Sequence, residues 1–229
     1  MSEIIPNHLG VILDGNRRWA KQNDLQTLEG HKKGAKNFHK ISMHAFSQGV
    51  SCVSGFVFSA ENWKRTEEEV GHLMGLVVTA IEDYLEDFHK AGIRIVILGR
   101  QNGIRSKVIK SIKKAEERTA NNKKGTLALC FNYGGHEEIV DATKSIIDKQ
   151  IKSDEVDEKL IQENIYSPEI PDVDLIIRTS GEQRLSGFML WRSAYSELYF
   201  SDKYWPDFSE VDLDIAFEWY SNRKRRFGQ

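Results

Sequence analysis

Short apolar runs alternate with amphipathic helical patterns along almost the whole chain. Each run is rich in β-branched or aromatic residues and stops at a polar or glycine-containing turn, which is typical of a buried strand. The predicted strands are Leu9–Leu13, Val50–Phe58, Ile93–Leu98, Thr126–Phe131, Val173–Ile177 and Tyr195–Phe200. Because strands and helices alternate, we predict an α/β fold with a central, mostly parallel sheet and helices on both faces.

The segments between these runs carry apolar residues at helical spacing. The predicted helices run from the Gly30–Gly34 segment to Phe46, over Glu67–Ala91 and Ile104–Thr119, up to about Ile151, and over Ser209–Ser221, with a loop and a short exposed helix in Lys152–Glu163. Neither a Ser/Gly-rich linker nor an internal repeat interrupts the 229 residues. We therefore expect residues 1–229 to form a single domain.

Charge and cysteine content exclude several classes of function. The 32 basic and 34 acidic residues nearly balance, so no overall field favours nucleic acid. The chain has no apolar run of 18 residues and no signal-peptide pattern at its start, which favours a cytoplasmic protein. Cys52 and Cys130 fall in predicted core strands and are expected to be buried thiols, neither disulfide-bonded nor metal-bound.

The turn after the first strand, Asp14-Gly15-Asn16-Arg17-Arg18-Trp19, carries the clearest chemical signal. A strand that feeds a helix through a glycine turn is where α/β sheets bind ligands, and the helix N-terminus favours an anion. Asp14 would repel that anion unless a cation lies between them, and Mg²⁺ is usually held by a carboxylate together with phosphate oxygens. We predict a Mg²⁺–diphosphate site here; the alternative is a solvated surface turn of a common type.

Polar residues follow several of the other predicted strands. The carboxyl ends of parallel strands meet at one edge of a sheet, so Asp14, residues 59–65, Asn132 and residues 178–186 should converge on one rim. The rim is expected to hold the following charged side chains: Arg17, Arg18, His31, Arg65, Arg178, Arg184, Asp14 and Glu197. One guanidinium group can form two parallel hydrogen bonds to the oxygens of a phosphate. The arginines fall in two clusters, which suggests two bound anionic groups.

Other phosphate- and metal-binding classes lack their sequence patterns. The chain contains no Walker A sequence and no Gly-x-Gly-x-x-Gly after a strand, which argues against a P-loop NTPase and a typical dinucleotide binder. It has no Cys/His cluster for zinc. His31 has no Ser or Cys nucleophile in an elbow nearby, so acyl transfer is disfavoured.

Five sequence blocks together resemble the signature blocks of cis-prenyltransferases, the undecaprenyl diphosphate synthase-like isoprenyl transferases. The blocks are Asp14–Ala20, Gly30-His31, Phe58–Trp63, Arg178–Glu182 and Arg226-Phe227-Gly228. The resemblance extends from about His8 to Gly228. It implies a parallel sheet with a hydrophobic tunnel, a homodimer, and the condensation of isopentenyl diphosphate with an allylic diphosphate to give a new cis double bond. It further implies Mg²⁺ as cofactor, and at most peripheral membrane contact for product release.

The same resemblance implies roles for individual residues. Asp14 would handle Mg²⁺ and the departing diphosphate, and Glu197 would be a second Mg²⁺ ligand. The implied substrate-binding residues are Gly15, Asn16, Arg17, Arg18, Trp19, Thr27 and His31 for the allylic diphosphate, Arg178, Arg184, Leu185 and Ser186 for isopentenyl diphosphate, and Ser59, Ala60, Glu61, Trp63 and Arg65 around the reacting ends. Asn62 matches the residue often assigned as the proton acceptor. An amide is a poor base, so we expect Asn62 to orient a proton relay, with the diphosphate as an alternative acceptor.

Departures from the family pattern leave the product open. Thr27 stands close to a position where members often carry an arginine, and Arg100, His136, Gly187 and Arg192 each replace a residue that is usual there. Two tunnel positions, Phe38 and Val57, look bulkier than in long-chain relatives and predict a shorter product, unless the Phe38 ring turns into the core. A branched, lavandulyl-type product and a catalytically weak partner subunit remain as alternatives.

Overall fold

The computed structural model describes residues 4–223. Its strands are β1 (His8–Ile12), β2 (Cys52–Ser59), β3 (Ile93–Leu98), β4 (Gly125–Tyr133), β5 (Leu175–Arg178) and β6 (Glu197–Phe200). They form one sheet in the order β3-β4-β2-β1-β5-β6, and every neighbouring pair is parallel. The predicted α/β fold with a parallel sheet is confirmed.

The helices of the described chain cover both faces of this sheet. They are α1 (Asn16–Gln22), α2 (Thr27–Ser47), α3 (Glu67–Lys90), α4 (Ser106–Thr119), α5 (Gly135–Asp148), α6 (Glu158–Asn164) and α7 (Glu210–Ser221). A larger core contains apolar residues of α2, α3, α4 and α7, and a smaller core lies on the other face of the sheet. Alternate residues of one strand point to opposite faces, as Leu127 and Phe131 enter the larger core while Ala128 and Cys130 enter the smaller.

Helix α2 begins earlier than its apolar pattern predicts. It starts at Thr27, so Gly30 and Gly34 lie inside the helix and not in a preceding turn. A Cβ atom at Gly30 would overlap the backbone oxygen of Asn16, and one at Gly34 would overlap the side-chain oxygen of Asn16. The two glycines therefore let α1 and α2 pack at close range, which brings His31 beside the turn after β1.

Two further predictions concern burial and membranes. Cys52 and Cys130 are both buried and free, as expected, and burial raises the pKa of the Cys52 thiol to about 12. Within residues 4–223, no helix is long and apolar enough to cross a lipid bilayer.

Candidate active site

A cavity of about 700 Å³ runs from the carboxyl edge of the sheet down between the sheet and helices α2 and α3. Its upper part is polar and is lined by Asp14, Asn16, His31, Ser59, Glu61, Asn62, Arg65, His136, Arg178 and Ser186. Its lower part is apolar and includes Phe38, Val57, Ile81, Leu85 and Phe88. The predicted convergence of strand ends thus brings nine of the 19 predicted site residues to one mouth above an apolar chamber.

Asp14 lies at this mouth directly after β1. The next residue, Gly15, has a left-handed φ of 108°, and a Cβ atom there would lie 2.8 Å from the Tyr204 ring. Asp14 accepts a hydrogen bond from Nη2 of Arg178 at 2.8 Å and one from Nη2 of Arg18 at 3.2 Å. Burial opposes ionisation of Asp14, but the hydrogen bonds and charges of Arg178 and then Arg18 outweigh it and lower the pKa of Asp14.

Arg178 ends β5 and is the most deeply buried arginine of the mouth, with 5% of its side chain exposed. Its Nη1 atom donates to Oγ of Ser186 at 2.8 Å and to the carbonyl oxygen of Arg184. Its Nε atom is buried without a hydrogen-bond partner among residues 4–223. Buried polar groups are normally paired, so this N–H is a donor available to a bound oxygen atom.

Two glutamates form ion pairs with the four more exposed arginines around the mouth. Glu182 lies between Arg18 and Arg184, with N–O distances of 3.3 Å and 2.5 Å. Glu69 accepts from Nη1 of Arg65 at 2.7 Å and lies 3.8 Å from Nε of Arg17. Each guanidinium has five N–H donors, so these pairs hold the arginines around the mouth and leave further donors for an anion.

His31 projects from α2 into the cavity. Its Nε2 atom is buried and has no hydrogen-bond partner in the described part of the chain. Burial, with the charges of Arg65 and Arg17, lowers the pKa of His31 to about 4, and the nearby Glu69 opposes this shift only in part. The imidazole is therefore neutral at pH 7 and could bind a proton when an anion arrives.

Asn62 lies in a 3₁₀ turn, Ala60–Lys64, that follows β2. Its Oδ1 atom accepts a hydrogen bond from the backbone N–H of Ser59 at 3.0 Å. The amide oxygen is thus engaged in capping the turn, and the side-chain NH₂ group is left to face a ligand. In this arrangement Asn62 acts as a hydrogen-bond donor.

This chain is similar in sequence to known proteins over almost its whole length. A model of the family described as putative undecaprenyl diphosphate synthase matches residues 12–228. The chain belongs to this family. An isoprenyl transferase of Thermotoga maritima is 46% identical over 98% of this chain and 97% of its own length. A trans,polycis-polyprenyl diphosphate synthase of Thermobifida fusca, described as (2Z,6E)-farnesyl diphosphate specific, is 43% identical over 99% of this chain and 82% of its own length.

Two solved structures of prenyltransferases are similar over the whole fold. Lavandulyl diphosphate synthase from Lavandula x intermedia, in complex with dimethylallyl diphosphate, has a TM-score of 0.95 at 31% identity and covers 100% of both chains. A probable undecaprenyl diphosphate synthase from Campylobacter jejuni has a TM-score of 0.83 at 30% identity, with 98% of this chain and 99% of that chain covered. These matches confirm the family and the reaction class, prenyl chain elongation, that the sequence blocks predict.

Several predicted substrate-binding residues of this prenyltransferase lie outside the cavity. Trp19 is buried and donates from Nε1 to Asp207 at 2.8 Å, and Thr27 is exposed at the start of α2. Leu185 packs against the smaller core. Ala60 and Trp63 line a second, polar cavity beside the first. Their predicted roles stay predictions.

The prediction that Glu197 shares the rim with Asp14 is wrong for a single chain. Glu197 is the first residue of β6 and pairs with Leu175, which in turn pairs with Leu9. It therefore lies at the amino edge of the sheet, and the strand rise places it roughly 10 Å or more below Asp14. Glu197 instead forms an ion pair with Arg223 at 3.0 Å.

The remaining block, Arg226-Phe227-Gly228, lies outside the described residues. The structure also adds site residues that sequence reasoning missed: Glu69, His136 and Gly187. His136 and Gly187 follow the ends of β4 and β5 and could have been found by the strand-end rule. Glu69 carried only a weak signal, its spacing of four residues from Arg65 at the start of α3.

Proposed function

We propose that this prenyltransferase condenses isopentenyl diphosphate with an allylic diphosphate to give a Z-polyprenyl diphosphate, in a Mg²⁺-dependent reaction. The observation that carries the proposal is the polar mouth above the apolar cavity, where the Nε–H of Arg178 has no partner among residues 4–223. One end of the cavity suits a diphosphate and the other a hydrocarbon chain. A prenyl diphosphate has this combination of properties.

The reaction breaks the bond between the allylic carbon and its diphosphate and joins that carbon to the terminal methylene of isopentenyl diphosphate. A proton then leaves the neighbouring carbon and the double bond moves. Negative charge grows on the leaving diphosphate, where Arg18, Arg65 and the donor face of Asn62 would stabilise it. We propose that His31, neutral at pH 7, hydrogen-bonds or takes up a proton beside the leaving group. The departing diphosphate is the proposed acceptor of the substrate proton, because the amide oxygen of Asn62 is already engaged.

The donor set at the mouth fits Mg²⁺. No three His, Cys, Asp or Glu side chains cluster as metal ligands within residues 4–223, so Asp14 would supply one carboxylate and the substrate phosphates and waters the rest. Such mixed coordination is what Mg²⁺ usually adopts. When bound, the ion would neutralise charge on the leaving diphosphate.

The lower cavity excludes water from the reacting carbons. Its walls are apolar residues of β2, α2 and α3, among them Val57, Phe38 and Ile81. A carbocation-like centre needs such walls, since water would otherwise intercept it. The same walls would hold the growing hydrocarbon chain.

We also propose that two copies of the chain assemble as a cytoplasmic homodimer. Four large apolar side chains are exposed near the edge strand β6 and on α7: Tyr195, Leu198, Val211 and Ile215. Val211 and Ile215 lie one helical turn apart on the same face of α7. An exposed edge strand beside such a surface is suited to contact with a second copy, and dimerisation could bring the partner's Glu197 and carboxyl-terminal block toward this site.

The test is product analysis with the purified chain. Isopentenyl diphosphate is supplied with geranyl, farnesyl or geranylgeranyl diphosphate, with Mg²⁺ or with a chelator, and products are sized by mass spectrometry. Products that grow by five-carbon units with new Z bonds, only with Mg²⁺, are expected. Binding of substrates without turnover would instead favour a weak partner subunit.

A second candidate is a branched, lavandulyl-type product from two allylic units. It is favoured by the TM-score of 0.95 to lavandulyl diphosphate synthase. Incubation with dimethylallyl diphosphate alone separates the two activities, because chain elongation also requires isopentenyl diphosphate.

A further inference from the structure

Asn132 joins three separate segments at the carboxyl edge of the sheet. It lies near the end of β4, is 7% exposed, and has a left-handed φ of 51°, a conformation in which asparagine is enriched. Its Oδ1 atom accepts from the indole Nε1 of Trp63 at 2.7 Å. Its Nδ2 atom donates to the carbonyl oxygens of Arg100 at 2.8 Å and Asn102 at 3.1 Å. One buried amide therefore connects β4, the loop after β3 and the turn that carries Asn62.

The 3₁₀ turn Ala60–Lys64 has few other attachments. All five of its residues are at least partly exposed, so packing into the core holds it weakly. Asn62 caps it internally, and Arg65 after it pairs with Glu69 at 2.7 Å. The ring of Trp63 contacts Phe58 edge-on, with centroids 5.5 Å apart, but the directional attachment of this side chain is its hydrogen bond to Asn132.

Trp63 and Asn62 are adjacent in one turn, so the direction of one side chain is coupled to that of the other. Successive residues of a 3₁₀ helix project about 120° apart. Trp63 points into the second cavity, and Asn62 and Glu61 line the first. If the indole of Trp63 turned away from Asn132, the turn could rotate and take Asn62 out of the mouth.

The loop on the other side of Asn132 is itself well anchored. The Arg100 guanidinium donates to both carboxylate oxygens of Asp141 on α5, each at 2.7 Å, and the Arg100 backbone N–H donates to the Asn132 carbonyl at 3.1 Å. Asn132 is thus attached to a rigid support formed by β4, α5 and this loop. It can transmit that rigidity to the turn.

We propose that Asn132 is a positioning residue for the reaction: through Trp63 it holds the turn so that Asn62 and Glu61 face the diphosphates. This inference rests on the proposed function of the same site. A positioning role predicts that loss of Asn132 lowers the rate of the chemical step more than it weakens substrate binding.

The test compares five variants with the wild type. Asn132→Ala removes all three hydrogen bonds, and Asn132→Asp keeps an acceptor oxygen for the indole. Trp63→Phe keeps a ring but removes the indole N–H, and it is combined with Asn132→Ala in a double variant. Asn122→Ala is the matched control, because Asn122 also bonds a backbone carbonyl, that of Ile93 at 2.8 Å, far from the mouth.

We expect Asn132→Ala to lower kcat about tenfold and to change KM for isopentenyl diphosphate less than about twofold. A tenfold loss in rate is within the range of interaction energies found between residues in contact. Asn132→Asp should recover part of that rate. The double variant should be little worse than Asn132→Ala, since both changes break the same bond. Asn122→Ala should lower stability without changing kcat.

A spectroscopic readout keeps the test independent of turnover. In ¹⁵N-labelled protein, the side-chain NH₂ signal of Asn62, assigned by its loss in Asn62→Ala, should shift in Asn132→Ala and not in Asn122→Ala. This holds even if the wild type makes no product, so failure of the proposed function is distinguishable. An unshifted Asn62 signal, a kcat loss no larger than in the control, or multiplicative losses in the double variant would each overturn the proposal.

Discussion

Two buried arginines, one at the mouth of the cavity and one beside the smaller core, each pair with a carboxylate, but only one of them has a partner for every guanidinium nitrogen. Arg178 pairs with Asp14, and Arg192 pairs with Glu138, each at 2.8 Å. Arg192 and Glu138 are fully buried, and all three guanidinium nitrogens of Arg192 are engaged, with Glu138 and with the carbonyl oxygens of three residues of the loop after α6. Arg178 keeps one buried N–H without a partner in the described chain.

Two histidines repeat this contrast. His8 is buried with both ring nitrogens bonded, Nδ1 to the Pro171 carbonyl at 2.8 Å and Nε2 to Oγ of Ser54 at 2.6 Å. His31 has a buried Nε2 with no partner among residues 4–223. Burial is the main cause that lowers the pKa of each to about 4. At Arg192 and His8 the hydrogen bonds hold the fold, whereas Arg178 and His31, which line the cavity, each leave one ring or guanidinium nitrogen for a ligand.

The contrast predicts that Asp14 is needed for turnover and little needed for folding. We expect Asp14→Ala to lower kcat by roughly a thousandfold or more, because several kcal/mol of leaving-group stabilisation are lost. The loss of stability should be smaller than for a fully buried pair, because the Asp14 carboxylate is partly exposed and Arg178 keeps its hydrogen bonds to Ser186 and the Arg184 carbonyl. The measurement is single-turnover kinetics with Mg²⁺ beside a urea unfolding curve. Near-normal kcat in Asp14→Ala would remove Asp14 from the proposed mechanism.

Breaking the complete pair should have the opposite effect. Arg192→Ala leaves Glu138 as an unpaired buried charge, which should cost about 3–5 kcal/mol of unfolding free energy. The folded fraction should keep the wild-type KM values. Chemical denaturation gives the stability, and Arg100→Ala is a suitable comparison because the Arg100–Asp141 pair is partly exposed. A stable Arg192→Ala protein with altered KM would show that Arg192 serves substrate binding and not the stability of the fold.

The two histidines should respond differently to an anion. As pH falls, the unfolded chain takes up protons near 6.5, but folded His8 and His31 resist until about 4. Each histidine therefore removes stability between pH 6.5 and 4, by roughly 3 kcal/mol at the lower limit. Inorganic pyrophosphate should raise the pKa of His31 and leave that of His8 unchanged. An NMR titration of the ring signals measures both; equal shifts, or a shift of His8 alone, would contradict the assignment.

Within the mouth, Arg178 and Arg184 should affect the binding of isopentenyl diphosphate more than that of the allylic diphosphate. Arg178→Ala and Arg184→Ala are expected to raise KM for isopentenyl diphosphate by roughly 10- to 150-fold, the loss of a charge-assisted contact of about 1.5–3 kcal/mol. The effect of Arg178→Ala should be the larger, because its guanidinium is buried while that of Arg184 is 58% exposed. KM for the allylic substrate should change less. Equal effects on both substrates would mean that the two anion sites are assigned wrongly.

The smallest effect on kcat and KM is expected in the apolar chamber, where the length of the product should change instead. The Phe38 ring lines the cavity and also rests on Gly55, where a Cβ atom would overlap it. Phe38→Ala, alone and with Val57→Ala, should enlarge the chamber and lengthen the product, because close-packed walls do not yield to a longer chain. Phe38→Leu serves as the control of similar packing. Products of unchanged length in both variants would show that the growing chain does not pass this ring.

The sequence alone determined the order and type of the main elements. The period of apolar residues predicts the strands and helices, and their alternation predicts the parallel sheet. Its parallel strands place the turns after β1, β2, β4 and β5 at one edge, which is why Asp14, Asn62 and Arg178 could be predicted to meet. These inferences depend on local periodicity and on general rules of chain connection.

Only the tertiary structure decided which polar atoms are left without partners and where Glu197 lies. Glu197 is the first residue of β6 and pairs with Leu175 at the amino edge, so the sheet holds it away from the mouth although Phe200, three residues later, pairs with Arg178. Partners such as Asn132 for Trp63 or Glu138 for Arg192 are 69 and 54 residues apart. No local pattern encodes such contacts, because they form only when distant segments pack together.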